Sequence, residues 1–118
     1  MDASPDALRV RTKAFGLRII RLFRALPRSP EAQIIGKQLL RCGTSVGANY
    51  RAACRGRSRQ EFVAKLGIVV EEADEAIYWL EMLVDAGIVP AKRLKELLAE
   101  AHELTAIFTA AQHTSRRR

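Results

Sequence analysis

The sequence predicts an all-α protein folded as an up-down-up-down antiparallel four-helix bundle. Apolar residues recur at spacings of three and four along the whole chain, whereas no segment alternates with the two-residue period of a β-strand. Helix start and stop signals divide the chain into four long segments. Because short turns join these segments, successive helices must run antiparallel to one another. A length of 118 residues is suited to one domain spanning residues 1–118.

The predicted helix ends follow from serine, proline and glycine. A capping hydroxyl precedes a proline suited to the first helical position at Ser4-Pro5 and at Ser29-Pro30. Residues 58–61 read Ser-Arg-Gln-Glu, the pattern of a capping box. Stop signals occur at Pro27, at Gly56, and at Gly87 followed by Pro90. We therefore expect helices near residues 5–26, 30–55, 59–86 and 90–112, with a basic tail at 113–118.

Each predicted helix carries one apolar stripe that would face the core. The first stripe consists of Leu8, Thr12, Phe15, Ile19, Leu22 and Leu26. The second consists of Ile35, Leu39, Cys42, Val46, Asn49 and Ala53. The third consists of Phe62, Leu66, Val69, Ala73, Ala76, Leu80 and Leu83. The fourth consists of Leu94, Leu97, Ala101, Leu104, Phe108 and Ala111.

The second helix contains residues that are unfavourable inside a helix. Gly43 and Gly47 each cost about 1 kcal/mol relative to alanine, so a packing or functional reason is expected. Together with Gly36 they share one helix face, on which another backbone can approach closely. Ser45 can bond back to a preceding carbonyl. Asn49 falls in the core stripe, where a buried amide would need partners and could fix the packing register. We interpret this group as a packing motif.

Two helices carry more apolar surface than one bundle seam requires. The extra residues lie off the core stripes of the first and third helices and predict contact with another copy of the chain. The residues expected at this oligomer interface are Leu17, Ile20, Ile68, Trp79 and Met82. Scattered exposed apolar residues remain the alternative interpretation.

Charge is distributed unevenly along the chain. Residues 1–65 carry 14 lysines and arginines against 4 acids, whereas residues 66–118 carry 6 against 9. In the predicted topology one end of the bundle collects basic residues from all four helices, including the 113–118 tail with Arg116 to Arg118. This field suits polyanions, and binding would be salt-sensitive and largely independent of nucleic-acid sequence. The predicted nucleic-acid-binding residues are Arg9, Arg11, Lys13, Arg51, Arg55, Arg57, Arg59 and Lys65.

The charge pattern leaves alternatives open. A basic surface can simply keep a protein soluble, or it can pair with the acids of a neighbouring subunit. The acids of the third helix lie opposite its core stripe around Tyr78 and could form a solvated face or meet a neighbour's arginines. These acids are Glu71, Asp74, Glu75, Glu81 and Asp85.

No combination of residues predicts catalysis or a cofactor. A carboxylate-bridged metal site in a bundle needs Glu-x-x-His pairs, but alanines precede His102 and His113 by three residues. Residues 43–47 lack the lysine of a phosphate loop, and no hydrolase arrangement is evident. Cys42 and Cys54 lie about 18 Å apart on one helix and are expected to be reduced thiols. We expect a non-enzymatic cytoplasmic protein without cofactor, metal, signal peptide or membrane span.

Three segments carry a resemblance to a known family. They are residues 39–49, ending in Thr-Ser-Val-Gly-Ala-Asn; residues 57–62, Arg-Ser-Arg-Gln-Glu-Phe; and residues 71–81, rich in acids around Trp79. Together they resemble the four-helix-bundle family of 23S rRNA intervening-sequence proteins, which also includes accessory variability proteins of diversity-generating retroelements. After Asn49, where this family usually has Ile-Ala-Glu-Gly, the chain has Tyr-Arg-Ala-Ala.

The resemblance implies a small bacterial protein that assembles into a homopentameric ring. In the retroelement members it implies a basic ring that binds nucleic acid and docks a reverse transcriptase. The resulting hypothesis is an oligomeric bundle that binds RNA or DNA backbone, as an accessory to a ribonucleoprotein or reverse transcriptase. The competing hypothesis is a protein interaction scaffold whose charge asymmetry serves ring assembly, without a role in nucleic-acid binding.

Overall fold

A computed structural model describes residues 3–117 as four helices that pack side by side. Their bounds are α1 Pro5–Ala25, α2 Pro30–Cys54, α3 Arg59–Asp85 and α4 Ala91–Arg116. Each helix packs against the next one in the chain, and α1 also touches α4, less extensively. The bundle measures 47 by 25 by 21 Å. The predicted all-α four-helix class is confirmed.

Serine side chains begin two of the helices as predicted. The Ser4 hydroxyl accepts a hydrogen bond from the backbone N–H of Ala7 at 3.2 Å at the start of α1. At the start of α3 the Ser58 hydroxyl accepts from the backbone N–H of Glu61 at 3.1 Å. The Glu61 carboxylate accepts in turn from the N–H of Arg57 at 2.6 Å. It thus reaches one residue further back than in a standard capping box.

Helix α2 begins at Pro30 as predicted but lacks the predicted cap, and the predicted end of α4 was wrong. The Ser29 hydroxyl does not cap the backbone of α2; it bonds the Glu31 carboxylate and thereby lowers the pKa of that group. At the other end of the chain, α4 continues to Arg116. Most of the predicted 113–118 tail is therefore helical, because residues 113–116 contain neither proline nor glycine to stop the helix. Arg118 lies outside the described residues.

The third helix ends at Asp85, and Gly87, two residues further on, has a φ of 72°. The N–H of Ile88 bonds the carbonyl of Leu83 at 3.0 Å, and the N–H of Gly87 bonds that of Val84 at 3.0 Å. These two bonds define a Schellman motif, in which glycine occupies the left-handed position at little cost. The chain therefore reverses direction sharply into α4.

The core follows the predicted stripes, except that Ile35, Phe62 and Ala111 are half-buried and that Asn49 of α2 was misplaced. All six predicted residues of α1 are buried, as are the large apolar residues at the centres of the other stripes. Asn49, however, is half-buried, and its amide donates to the Ser45 carbonyl at 3.0 Å. The neighbouring Tyr50 is buried instead and packs on Phe108 with ring centroids 4.9 Å apart. The prediction that Asn49 lies in the core was wrong, because an aromatic ring fills that space better than a short amide.

Candidate nucleic-acid interface

The turn between α2 and α3 exposes three arginines. Arg55 caps the end of α2, Arg57 lies in the turn, and Arg59 is the first residue of α3. All three are exposed, and none makes an ion pair with another part of the chain between residues 3 and 117. We call these three residues the arginine turn. Their guanidinium groups are free to bind phosphate oxygens in bidentate fashion.

The end of α4 brings further positive charge to the arginine turn. A shallow groove of about 450 Å³ is lined by Arg59, Gln60 and Val63 of α3 and by Ser115 and Arg116 of α4. The continuation of α4 beyond its predicted end places Arg116 in this groove. Lys65 lies further along α3 and is half-buried. Basic residues from two helices therefore meet at this end of the bundle.

Arg11 does not belong to the basic surface. Its guanidinium makes a two-pronged contact with Glu100 of α4, with Nη2 at 2.6 Å and Nε at 3.2 Å from the carboxylate oxygens. Glu103 lies 3.3 Å from the same Nη2. The hydrogen bond to Glu100 and the two carboxylate charges raise the pKa of Arg11. Arg11 therefore ties α1 to α4, and its positive charge is neutralised there.

The remaining basic residues of α1 and α2 line a second groove. Arg9, Lys13 and Arg51 surround a depression of about 470 Å³ between α1 and α2, which we call the α1–α2 groove. Arg9 also pairs with Asp6 one turn earlier. The other lining residues are Thr12, Gly16, Leu17, Ile20, Thr44, Gly47 and Ala48. The groove thus combines cationic edges with an apolar wall.

The packing motif lies where α2 crosses α1. A Cβ on Gly47 would lie 3.2 Å from the backbone carbonyl of Thr12, and a Cβ on Gly43 would lie 2.8 Å from Cγ1 of Ile19. The Ser45 hydroxyl donates to the carbonyl of Arg41 at 2.7 Å. The glycines therefore let the two helices approach more closely than alanine would.

Two acids of α3 form ion pairs with α2 and do not face solvent freely. Glu72 and Glu75 face α2, where Arg41 reaches them at 3.3 and 2.5 Å. Trp79 Nε1 also donates to Glu75 at 3.0 Å. The hydrogen bond from Trp79 and the contact with Arg41 lower the pKa of Glu75. Glu75 therefore does not belong to the outward acidic face on which the sequence placed it.

The predicted oligomer-interface residues differ in exposure. Leu17 is 47% exposed and Ile68 is 37% exposed. Ile20, Trp79 and Met82 are half-buried against their own bundle. The five residues do not form one patch, because Leu17 and Ile20 lie on α1, the other three lie on α3, and these two helices do not pack against each other in the described chain.

The sequence did not predict a third groove with basic residues in its lining. It lies between α1 and α4 and is lined by Arg18, Arg21 and Arg93 together with apolar side chains. Arg18 and Arg21 are three residues apart in α1, a spacing that could have indicated a shared helix face. The contribution of Arg93 depends on how α4 packs and could not be found from α1 alone.

Residues 3–117 were also compared with the requirements of a metal site, a membrane-spanning helix and a disulfide. That part of the chain contains no cluster of three or more histidine, cysteine or acidic side chains able to hold a metal ion. None of its helices is long and apolar enough to cross a membrane. Cys42 and Cys54 are both free, and burial raises the pKa of the Cys42 thiol to about 12. Cys42 is therefore a protonated core residue at neutral pH.

These features define the class of protein as an all-α four-helix bundle with exposed arginines in the turn between α2 and α3. The model of the 23S rRNA-intervening sequence protein family matches residues 7–110, and the chain belongs to this family. A crystal structure of a protein of unknown function from the S23 ribosomal protein family of Bacteroides thetaiotaomicron is similar, with a TM-score of 0.86 and 29% identity. The match covers 92% of this chain and 97% of that one. A comparison with curated proteins found no match.

Proposed function

We propose that this protein is a non-enzymatic, cytoplasmic nucleic-acid-binding bundle that contacts the phosphate backbone of RNA or DNA without sequence preference. The observation that carries the proposal is the arginine turn, whose three exposed guanidinium groups have no acidic partner among the described residues. Arg116 and Lys65 extend the same basic end. Such a surface suits an accessory role in a ribonucleoprotein or beside a reverse transcriptase.

We further propose that the bundle assembles with copies of itself, as a homopentameric ring. Exposed Leu17 and Ile68 on different helices support assembly, since apolar side chains of this size are more stable when covered. Light scattering after size exclusion tests the stoichiometry. A mass of five subunits is expected, and a monomer of 13.2 kDa at all concentrations would contradict the ring.

The test of nucleic-acid binding compares two triple variants of equal charge. Replacing Arg55, Arg57 and Arg59 by alanine removes the arginine turn. The matched control replaces Arg24, Arg28 and Lys37 by alanine; these residues are equally exposed but lie around the α1–α2 connection at the opposite end of the bundle. Fluorescence anisotropy with labelled duplex DNA and structured RNA measures affinity across a series of salt concentrations.

The two variants are expected to differ in salt dependence. Loss of three phosphate contacts lowers the slope of log affinity against log salt by about 2–3 for the arginine-turn variant. The control is expected to retain most of the parent slope. Unchanged affinity of the arginine-turn variant would refute this binding surface. Absence of parent binding at low salt would favour the alternative function, a protein interaction scaffold, which the separate acidic face of α3 supports.

A further inference from the structure

A straight row of acids on α3 faces away from the bundle. Its members recur at spacings of three and four residues, which places them along one line on the helix surface. They are Glu71, Asp74, Tyr78, Glu81 and Asp85, and we call them the outer acid row. All five are exposed, and none of the four carboxylates makes an ion pair with any residue between 3 and 117. The row extends over about 21 Å.

The α1–α2 groove has complementary properties. It is an open depression of about 470 Å³ whose lining includes Leu17 and Ile20 of α1 and Thr44 and Ala48 of α2. Lys13 and Arg51 are exposed at its edge. The part of α1 that lines the groove, residues 9–20, extends over about 16 Å, comparable with the length of the outer acid row.

Both surfaces also carry an apolar centre. Tyr78 stands in the middle of the outer acid row and is 52% exposed. Leu17 and Ile20 line the α1–α2 groove beside its basic edge. Contact between the two surfaces would cover the tyrosine ring and Leu17 while pairing carboxylates with Lys13 and Arg51. The same contact would therefore bury exposed apolar side chains and pair opposite charges.

We propose that the outer acid row of one copy docks into the α1–α2 groove of a second copy. The inference rests on the self-assembly included in the proposed function and specifies the two surfaces that meet. Because the surfaces differ, the contact is head-to-tail and can repeat from copy to copy. Lys13 and Arg51 are then engaged between subunits. The arginine turn does not line the groove and stays available to nucleic acid.

Charge reversal on each surface tests the contact. The groove variant carries Lys13→Glu and Arg51→Glu, and the row variant carries Asp74→Lys and Glu81→Lys. All four positions are exposed and make no ion pair within the described chain, so folding is expected to persist and is checked by far-UV circular dichroism. The control, Lys92→Glu with Lys95→Glu, makes the same charge change as the groove variant on α4, which contributes residues to neither surface.

Sedimentation velocity then measures the assembly of each variant alone and of a 1:1 mixture. Each variant alone is expected to associate on the order of 100-fold more weakly than the parent, because like charges face each other across the contact. The mixture is expected to associate again, since alternating variants bring each groove against a row of opposite charge in about four of every five contacts of a five-membered ring. The control is expected to assemble like the parent.

Three outcomes would overturn the proposal. They are parent-like assembly of both single-surface variants, failure of the mixture to associate, and a parent chain that is monomeric throughout, in which case the groove would serve another partner.

Nucleic-acid affinity is measured on the same samples. Its loss in the arginine-turn variant, with assembly unchanged, would separate the two functions. Absence of nucleic-acid binding in every sample would refute that function without affecting the assembly result.

Discussion

Substitution of single glycines by alanine tests whether the glycines of α2 are required by helix packing. Gly43 and Gly16 are suitable for comparison, because both lie inside helices and neither has a positive φ. Alanine at either position is expected to gain about 1 kcal/mol from helix propensity. Any difference between the two variants therefore reports the space around each added methyl group.

The structure predicts a clear difference in that space. A Cβ at position 43 would lie 2.8 Å from Cγ1 and 3.1 Å from Cγ2 of Ile19. Ile19 is fully buried and β-branched, so its side chain cannot rotate away easily. A Cβ at position 16 would have its nearest neighbour, Cα of Thr44, at 3.6 Å, which is an ordinary contact. Overpacking costs about 1–3 kcal/mol, and only Gly43→Ala should incur it.

The assay is urea unfolding followed by circular dichroism at one protein concentration. Gly16→Ala is expected to be about 1 kcal/mol more stable than the parent. Gly43→Ala is expected to be about 1–3 kcal/mol less stable than Gly16→Ala. Equal unfolding free energies for the two variants would refute the close-packing interpretation. On an Ile19→Ala background, where the obstructing atoms are absent, Gly43→Ala is expected to become stabilising, and failure to do so would also contradict the reasoning.

Two further predictions concern the ion pairs between helices. Arg11→Ala is expected to lower the free energy of unfolding by about 1–3 kcal/mol, because it leaves the half-buried Glu100 without its partner. Urea unfolding measures this loss. A loss below about 0.5 kcal/mol would indicate that solvent already weakens the ion pair. Glu75→Gln is expected to be destabilising at pH 7 and to lose that effect as the pH falls through the lowered pKa of the Glu75 carboxylate. The reason is that Trp79 and Arg41 lower the pKa of Glu75 in the folded state, so its stabilisation is present above the unfolded pKa and disappears as the carboxylate is protonated. Unfolding curves of parent and variant at pH 7 and pH 3 test this, and a difference independent of pH would contradict it.

Core positions were largely predictable because burial in a helix is expressed in local spacing. Phe15, Leu66 and Phe108 were assigned to the core from periodicity alone and are fully buried. Asn49 was misplaced because the stripe of α2 is wide enough to be traced through either Asn49 or its neighbour Tyr50. The choice between them depends on the Phe108 ring of α4, which is distant in sequence.

Candidate site residues were predicted less completely than the core. The exposure of Arg55, Arg57 and Arg59 follows from their position in a turn between two capped helices. The neutralisation of Arg11 could not be predicted, because Glu100 lies 89 residues away in sequence. Charge counting along the chain treats every arginine as equally available, although pairing depends on which helix faces it.

The sequence by itself determined the number of helices, most of their ends and the apolar faces that meet in the core. These properties depend on interactions within a few residues, namely side-chain spacing and hydrogen bonds to the first turn of a helix. Only the tertiary structure decided which charges are free. It joined Arg11 to Glu100 and Arg41 to Glu75, left the outer acid row unpaired, and opened a groove between α1 and α2. Such pairings depend on the distance between helices, which small residues such as Gly43 set and which no local pattern specifies.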